Sequence, residues 1–216
     1  MIKLAKGTAS WIATPLFLSI IFMSMSIYTN IPLRNILLFL SIFSWLALFF
    51  FLIFFRDPDR KTGEDIVAPA DGKIREITIL TDRDIGRCIR ISTFMNIHNV
   101  HVNRMPLDGV IKNIVHLKGS HVPAFRKDSD RNERVVITID TGIGMLKICQ
   151  IAGTLARRIT PYIKKDDSIR KGTRIGIIKL GSRVDLYLPL SSRIKINIKE
   201  GDKVKAGEDT IAKIHG

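Results

Sequence analysis

The first 55 residues of this 216-residue chain carry only three charged side chains, Lys3, Lys6 and Arg34. Nothing else in the sequence restricts the fold so strongly. Nine of the eleven Phe and both Trp, Trp11 and Trp45, also fall in this stretch. Residues 11–33 and 35–55 contain no charge, and within them the apolar runs cover 11–28 and 36–55. A helix of about 20 mostly apolar residues crosses a bilayer core, so the runs predict two membrane helices, 11–28 and 36–55. Thr29–Asn35, with Pro32, is the expected turn between them. Lys3 and Lys6 precede the pair, and Arg56, Arg60 and Lys61 follow it. Basic residues at both flanks put both ends on the cytoplasmic side of the cell (inner) membrane. A signal peptide fits less well, because no small-residue cleavage motif follows the first run and a second apolar run comes too soon. Burial of both runs inside a soluble protein would need more partner surface than the 161 more polar residues offer.

Residues 56–216 form the second expected domain. They hold 31 basic and 20 acidic groups, out of 34 and 20 in the whole chain. Their apolar runs are short, rich in Val and Ile, and separated by Gly, Asp and Pro. Examples are Lys73–Leu80, Cys88–Phe94, Val135–Asp140, Met145–Ile151, Arg174–Leu180, Val184–Leu188 and Arg193–Ile198. Alternation with polar residues, clearest in Arg193–Lys199, has the period of half-buried strands. No long helical period follows residue 60, and His116–Asn132 reads as a loop or short helix. Two segments, 167–172 and 202–207, share the pattern Asp-x-apolar-basic-x-Gly, a pattern also met in lipoyl-type hybrid folds. The fold class is therefore mainly β: an antiparallel, lipoyl-hybrid-like sandwich or barrel preceded by a helical membrane hairpin. Cys88 and Cys149 form no CxxC or disulfide framework, in keeping with a reducing compartment.

Three segments contain residues able to do chemistry. Val67–Gly72 ends in Asp71-Gly72, by itself the signature of a turn. Asn96–Arg104 holds His98 and His101 in a strand-like run, where a spacing of three puts them on opposite faces. That spacing argues against one shared metal, and there is no accompanying Cys or Glu pattern for zinc. Leu180–Asp185 contains Gly181-Ser182, which is not the Gly-x-Ser-x-Gly elbow of α/β hydrolases. Serine, histidine and aspartate can act together in any chain order, because geometry defines such a set. The residues alone go no further than this.

These segments, in this order, resemble the phosphatidylserine decarboxylase proenzyme family in its short, bacterial and archaeal-type form. Phe54–Arg60, Asn132–Arg134, Gln150–Arg158 and above all Gly172–Pro189 add to the likeness, which runs from about residue 54 to 216. The resemblance implies a self-processing enzyme cut at Gly181–Ser182. The Ser182 hydroxyl would attack the Gly181 carbonyl, giving an ester. Elimination would then leave a β chain, 1–181, and an α chain, 182–216, the latter starting with a pyruvoyl group made from Ser182. His101 would be the base and Asp71 its orienting partner, since a serine hydroxyl needs a base at neutral pH. Gly181 lacks a Cβ, which eases the tight conformation that attack requires. The pyruvoyl cofactor would accept the electrons left when CO2 departs from phosphatidylserine, giving phosphatidylethanolamine. His98 matches the first histidine of the long forms' His-x-x-His pair and is assigned to bind or protonate the substrate. Arg183 follows the short-form pattern, where long forms have threonine.

In this reading the basic surface complements an anionic leaflet, at roughly 1 kcal/mol per Lys or Arg near it. Arg56, Arg60, Lys61 and the 118–134 loop are the candidates. The implied partners are phosphatidylserine, the anionic membrane surface and the α and β chains as a heterodimer, with no nucleic acid. A basic nucleic-acid binder is conceivable on charge, but no recognition motif is present. A non-catalytic, membrane-anchored lipoyl-like module would leave Ser182, His101 and Asp71 without a purpose. A serine ether lipid is an equally consistent substrate, because its head group would be the same.

Overall fold

The computed structural model describes residues 3–119, 132–153, 158–179 and 182–215. The chain forms two compact units, Met1–Pro58 and Asp59–Gly216.

The first unit is a pair of helices, α1 (Ala9–Ile27) and α2 (Ile31–Phe54). At 1.5 Å per residue they are about 28 and 36 Å long, enough for a hydrocarbon core of about 30 Å. They run antiparallel. The Trp11 ring meets Phe51 and Phe55 edge-on at 5.4 and 5.9 Å, and Ser41 Oγ donates to the Ser19 carbonyl at 3.0 Å. Ser19, Ser41 and Ser44 are buried, the small-residue contact by which apolar helices approach closely. The flanks stay apolar and exposed, with Phe17, Phe39, Phe43, Trp45 and Phe49 pointing outward. The second helix begins earlier than the sequence predicts. Pro32 lies in its first turn, where a missing N–H costs nothing, so the connection shrinks to Tyr28–Asn30.

Among its described residues, the second unit has strands and no helix. Its main sheet is a curled antiparallel half-barrel of eight strands. In spatial order these are β13 (Lys203–Val204), β2 (Gly72–Asp82), β3 (Gly86–Met95), β11 (Ser182–Pro189), β7 (Gly144–Ala152), β6 (Arg134–Thr141), β5 (Gly109–Leu117) and β9 (Ser168–Ile169). A three-stranded sheet joins β4 (Val102–Arg104), β10 (Arg174–Ile178) and β8 (Ile159–Pro161). A second one joins β1 (Ile66–Val67), β14 (Thr210–Ile214) and β12 (Ile194–Ile196).

Strand β11 lies well inside the large sheet, paired along its length with β3 and β7. Its alternate residues Val184, Leu186 and Leu188 are fully buried in the core with Ile91, Ile137, Ile139, Leu146 and Ile148. Removing one such side chain to Ala costs about 2–5 kcal/mol. Ser182 is on the same face of β11 and begins it. Arg183, Asp185 and Tyr187 take the other face, where a cavity of about 540 Å3 opens beside Lys147 and Cys149.

Candidate functional site

Ser182 is wholly buried. It pairs with Met95 on β3 and Ala152 on β7, and its hydroxyl donates to Met95 Sδ at 3.2 Å. Its neighbour Gly181 lies outside the described residues, as does most of the 118–134 loop. Strand β10 leads toward Ser182 and is paired with β4, which carries Asn103. The Asn103 amide Nδ2 donates to the same sulfur at 3.7 Å, and Gln150 Nε2 on β7 donates to Asn103 Oδ1 at 2.7 Å. Asn103 and Gln150 are both fully buried.

His101 immediately precedes β4 and is 1 % exposed. The Ile178 N–H donates to its carbonyl at 3.3 Å, which ties the end of β10 to His101. Its ring Nδ1 is 2.9 Å from the Asn99 carbonyl. Bonding to a carbonyl requires Nδ1–H, so in the neutral imidazole Nε2 carries the lone pair. That is the form a general base needs. Asn99 is fixed in turn, since its side chain accepts the Asn96 N–H at 2.8 Å and its own N–H bonds the Asn96 carbonyl at 2.9 Å. The expected strand at 96–101 is therefore a turn, closed by these Asn bonds. His98 sits exposed on that turn, not on the face of a strand opposite His101.

Asp71 is also buried, and its carboxylate is fully occupied. Arg60 grips it through two parallel bonds, Nη1 to Oδ1 and Nη2 to Oδ2, the latter at 2.8 Å. The Ala206 N–H donates to Oδ1 at 2.8 Å, and Arg60 Nη1 reaches the Ala206 carbonyl at 2.9 Å. His101 and Ser182 are thus both buried, whereas the Asp71 carboxylate faces Arg60 and Ala206, and His101 Nδ1 faces Asn99. Arg60, read from sequence as part of a lipid-facing basic surface, has a side chain only 8 % exposed and is committed to Asp71. Gly72 explains the tightness of this corner, because a Cβ there would overlap the Phe94 carbonyl oxygen.

Charge is distributed unevenly about the site. Lys179 is 8 % exposed, and its N–H donates to the Arg158 carbonyl at 3.2 Å. Burial, aided by the nearby Arg158 charge, pulls its ammonium below the ordinary lysine range. On the opposite face of β11, burial raises the Asp185 carboxyl, against the opposing pull of Arg183, Ser92 and Arg90. Arg183 Nη2 donates to Asp185 Oδ2 at 2.9 Å. Burial pushes the Cys149 thiol up to about 12.

Sequence reasoning missed Met95, Asn103, Gln150 and the Arg60–Ala206 grip on Asp71. Only Gln150 left a trace. It is the one polar residue in step with Leu146, Ile148 and Ala152 on an otherwise apolar strand face.

The chain matches the sequence model of the phosphatidylserine decarboxylase family over residues 47–212. It is 44 % identical over 213 residues to a chain from Methanococcoides burtonii that bears the provisional name archaetidylserine decarboxylase proenzyme, covering 97 % of this chain and 96 % of that one. It is 46 % identical over 157 residues to the phosphatidylserine decarboxylase proenzyme of Streptomyces coelicolor, covering 72 % and 69 %. The proenzyme of the same name from Thermobifida fusca is 47 % identical over 156 residues, covering 72 % and 69 %.

Proposed function

The chain belongs to the phosphatidylserine decarboxylase family, and from that membership we propose that it becomes active by cutting itself at Gly181–Ser182 and then decarboxylates a phosphoserine lipid. The observation that supports this best is the burial of Ser182 at the start of a central strand, with His101 also buried and its Nδ1 held by the Asn99 carbonyl. His101 Nε2 takes the Ser182 hydroxyl proton as Oγ bonds to the carbonyl carbon of residue 181. The C–N bond breaks, the Ser182 nitrogen takes a proton, and an ester joins the two parts. Loss of the Ser182 Cα proton and cleavage of Cβ–Oγ then release residue 181 as a carboxylate. Addition of water and loss of ammonia leave a ketone at residue 182.

A pyruvoyl group fits the site, because it retains the three carbons of Ser182 and needs no further room. It supplies an electron sink for the electrons that remain when CO2 leaves. The protein's own part is to hold the substrate, exclude water and return a proton. Exposed His98, close in sequence to the buried base, is our candidate for contact with the incoming head group. Asp71 supports processing from its clamp with Arg60 and Ala206, as the family-matched carboxylate.

The two apolar helices suit membrane association by length and composition. We place them in the cell membrane, with the β unit on the cytoplasmic face. There the basic excess meets the anionic leaflet, and the α and β parts stay together as a heterodimer. One observation favours an ether-lipid substrate as a second reading. The relative matched along nearly the whole chain carries the archaetidylserine name, while the two named for phosphatidylserine match about 157 residues.

Intact-mass measurement of the purified protein tests the processing. Two species split between 181 and 182, the smaller lacking a free amine, are expected, and Ser182→Ala is expected to remain one chain without activity. A single unmodified chain from active cells refutes it. Release of CO2 from matched diacyl and diether phosphoserine lipids decides between the substrates.

A further inference from the structure

Self-cleavage would change residue 182 in two ways. It becomes a chain end, and chain ends fray unless they are tied down. Its amine gives way to a ketone, so it keeps no backbone N–H to donate to a neighbouring strand. In the uncut chain Ser182 pairs with Met95 on β3 and Ala152 on β7. The cut thus weakens the ladder at the one residue whose ketone has to hold still for the chemistry.

Packing into the core secures β11 from Val184 onward. Arg183 stands between Val184 and Ser182, with its side chain on the opposite face of the sheet. Its ladder partners are Phe94 of β3 and Ile151 of β7. The guanidinium runs along its own strand, where Nη2 donates to Asp185 Oδ2 at 2.9 Å. The two side chains are 13 and 1 % exposed. Residues two apart share one face of an extended strand, so this bond holds 183–185 extended. Asp185 is fixed in turn between Ser92 of β3 and Cys149 of β7, both buried. Arg90, whose Nη2 bonds Glu76 Oε2 at 2.9 Å, adds a second positive charge near Asp185. A buried ion pair adds little stability over an apolar pair of similar volume. What it adds here is direction, one residue from the end that the cut creates.

We propose that the Arg183–Asp185 pair is a clamp that keeps the new end of the α chain in the sheet after the cut, and so positions the ketone at residue 182. The proposal rests on the self-cleavage reading above. Arg183 and Asp185 are positioning residues, acting through the backbone of β11. The clamp has no part in the cut itself, because until then the chain on the far side of residue 182 ties the strand down.

Hydrogen–deuterium exchange of the full protein in detergent micelles, read by mass spectrometry of its peptides, reports on the strand end directly. In the processed protein, Arg183→Met is expected to exchange the amides of 183–185 roughly 10- to 100-fold faster than wild type, the factor a hydrogen bond to a charged group supports. Peptides from β6 are expected to keep their wild-type rates. In chains kept whole by Ser182→Ala, the same substitution is expected to change exchange at 183–185 far less. Decarboxylation by processed Arg183→Met is expected to lose more in kcat than in KM. Arg183→Lys, which keeps a cation beside Asp185, is expected to restore part of both the protection and kcat. If Arg183→Met does not fold, Asp185→Asn, alike in shape but uncharged, is put through the same comparison. Equal exchange in processed wild type and variant, or equal acceleration in whole and processed chains, overturns the proposal. So does a folded Arg183→Met chain that stays whole, which would place Arg183 in the cut. A wild-type chain that stays whole overturns the self-cleavage reading itself, and this proposal with it.

Discussion

At the scale of single residues, the most instructive contact is the Arg60–Asp71 pair. Breaking a buried ion pair by removing one partner costs about 3–5 kcal/mol, because the other charge is left behind. Arg60→Met is therefore expected to lower the urea midpoint of the detergent-solubilised chain markedly, and to slow self-cleavage through displacement of Asp71. Lys147 gives a case with a defined pH dependence. It pairs with Asp82 and bonds Asp84 at 3.2 Å. Burial alone would raise the Asp82 carboxyl, but the Lys147 bond and charge and the Asp84 and Ile85 amides outweigh it and hold it below its ordinary value. A carboxylate lowered on folding contributes stability above its unfolded pKa of about 3.9 and loses it as pH falls through the folded value. Lys147→Met should thus destabilise by about 1.5–3 kcal/mol at pH 7, the range for a hydrogen bond to a charged group, and the gap to wild type should narrow as urea titrations move to pH 3. Neither residue's role was visible in the sequence. Arg60 reads there as one more surface cation, because Asp71 is 11 residues away and Ala206 is 146 away. Ser182 and His101 could be singled out only through family resemblance, since the contacts that give them meaning join four strands.

At the scale of elements, alternation is clearest in β6, where Val135, Ile137 and Ile139 are buried at every second position. Strands β2, β3, β7 and β11 were legible as short Val- and Ile-rich runs, although β2 slips in register between Ile74 and Glu76 and β7 is buried on both faces. Strand β5 was not recognised. Its Val110, Ile111, Ile114 and Val115 do not alternate, because the register against β6 shifts between Ile111 and Asn113. Such a bulge resets which side chains face the core. The segment before β4 failed for the opposite reason, as its branched residues imitate a strand while Asn96 and Asn99 close a turn. A packing constraint at the start of β2 gives a direct check. Gly72→Ala places a methyl against the Phe94 backbone, and overpacking of this kind typically costs about 1–3 kcal/mol. The expected result is a lower urea midpoint together with slower cleavage, since Asp71 is its neighbour.

At the scale of the whole molecule, the proposed cut divides the β unit unequally without opening it. The 35-residue part would keep β11 between β3 and β7, β13 beside β2, and β14 beside β1. Four ladders and the bonds of Ala206 to Arg60 and Asp71 therefore join the two parts. They are expected to co-elute on size exclusion in detergent and to separate only at denaturant concentrations that melt the sheet. Ser182 is wholly buried where β11 lies between β3 and β7, and on the proposed route its hydroxyl reacts only with the peptide bond that precedes it. The whole chain would thus fold first and be cut second, once per molecule. Pieces 1–181 and 182–216 synthesised separately and mixed are accordingly expected to give no active enzyme, even where both are soluble.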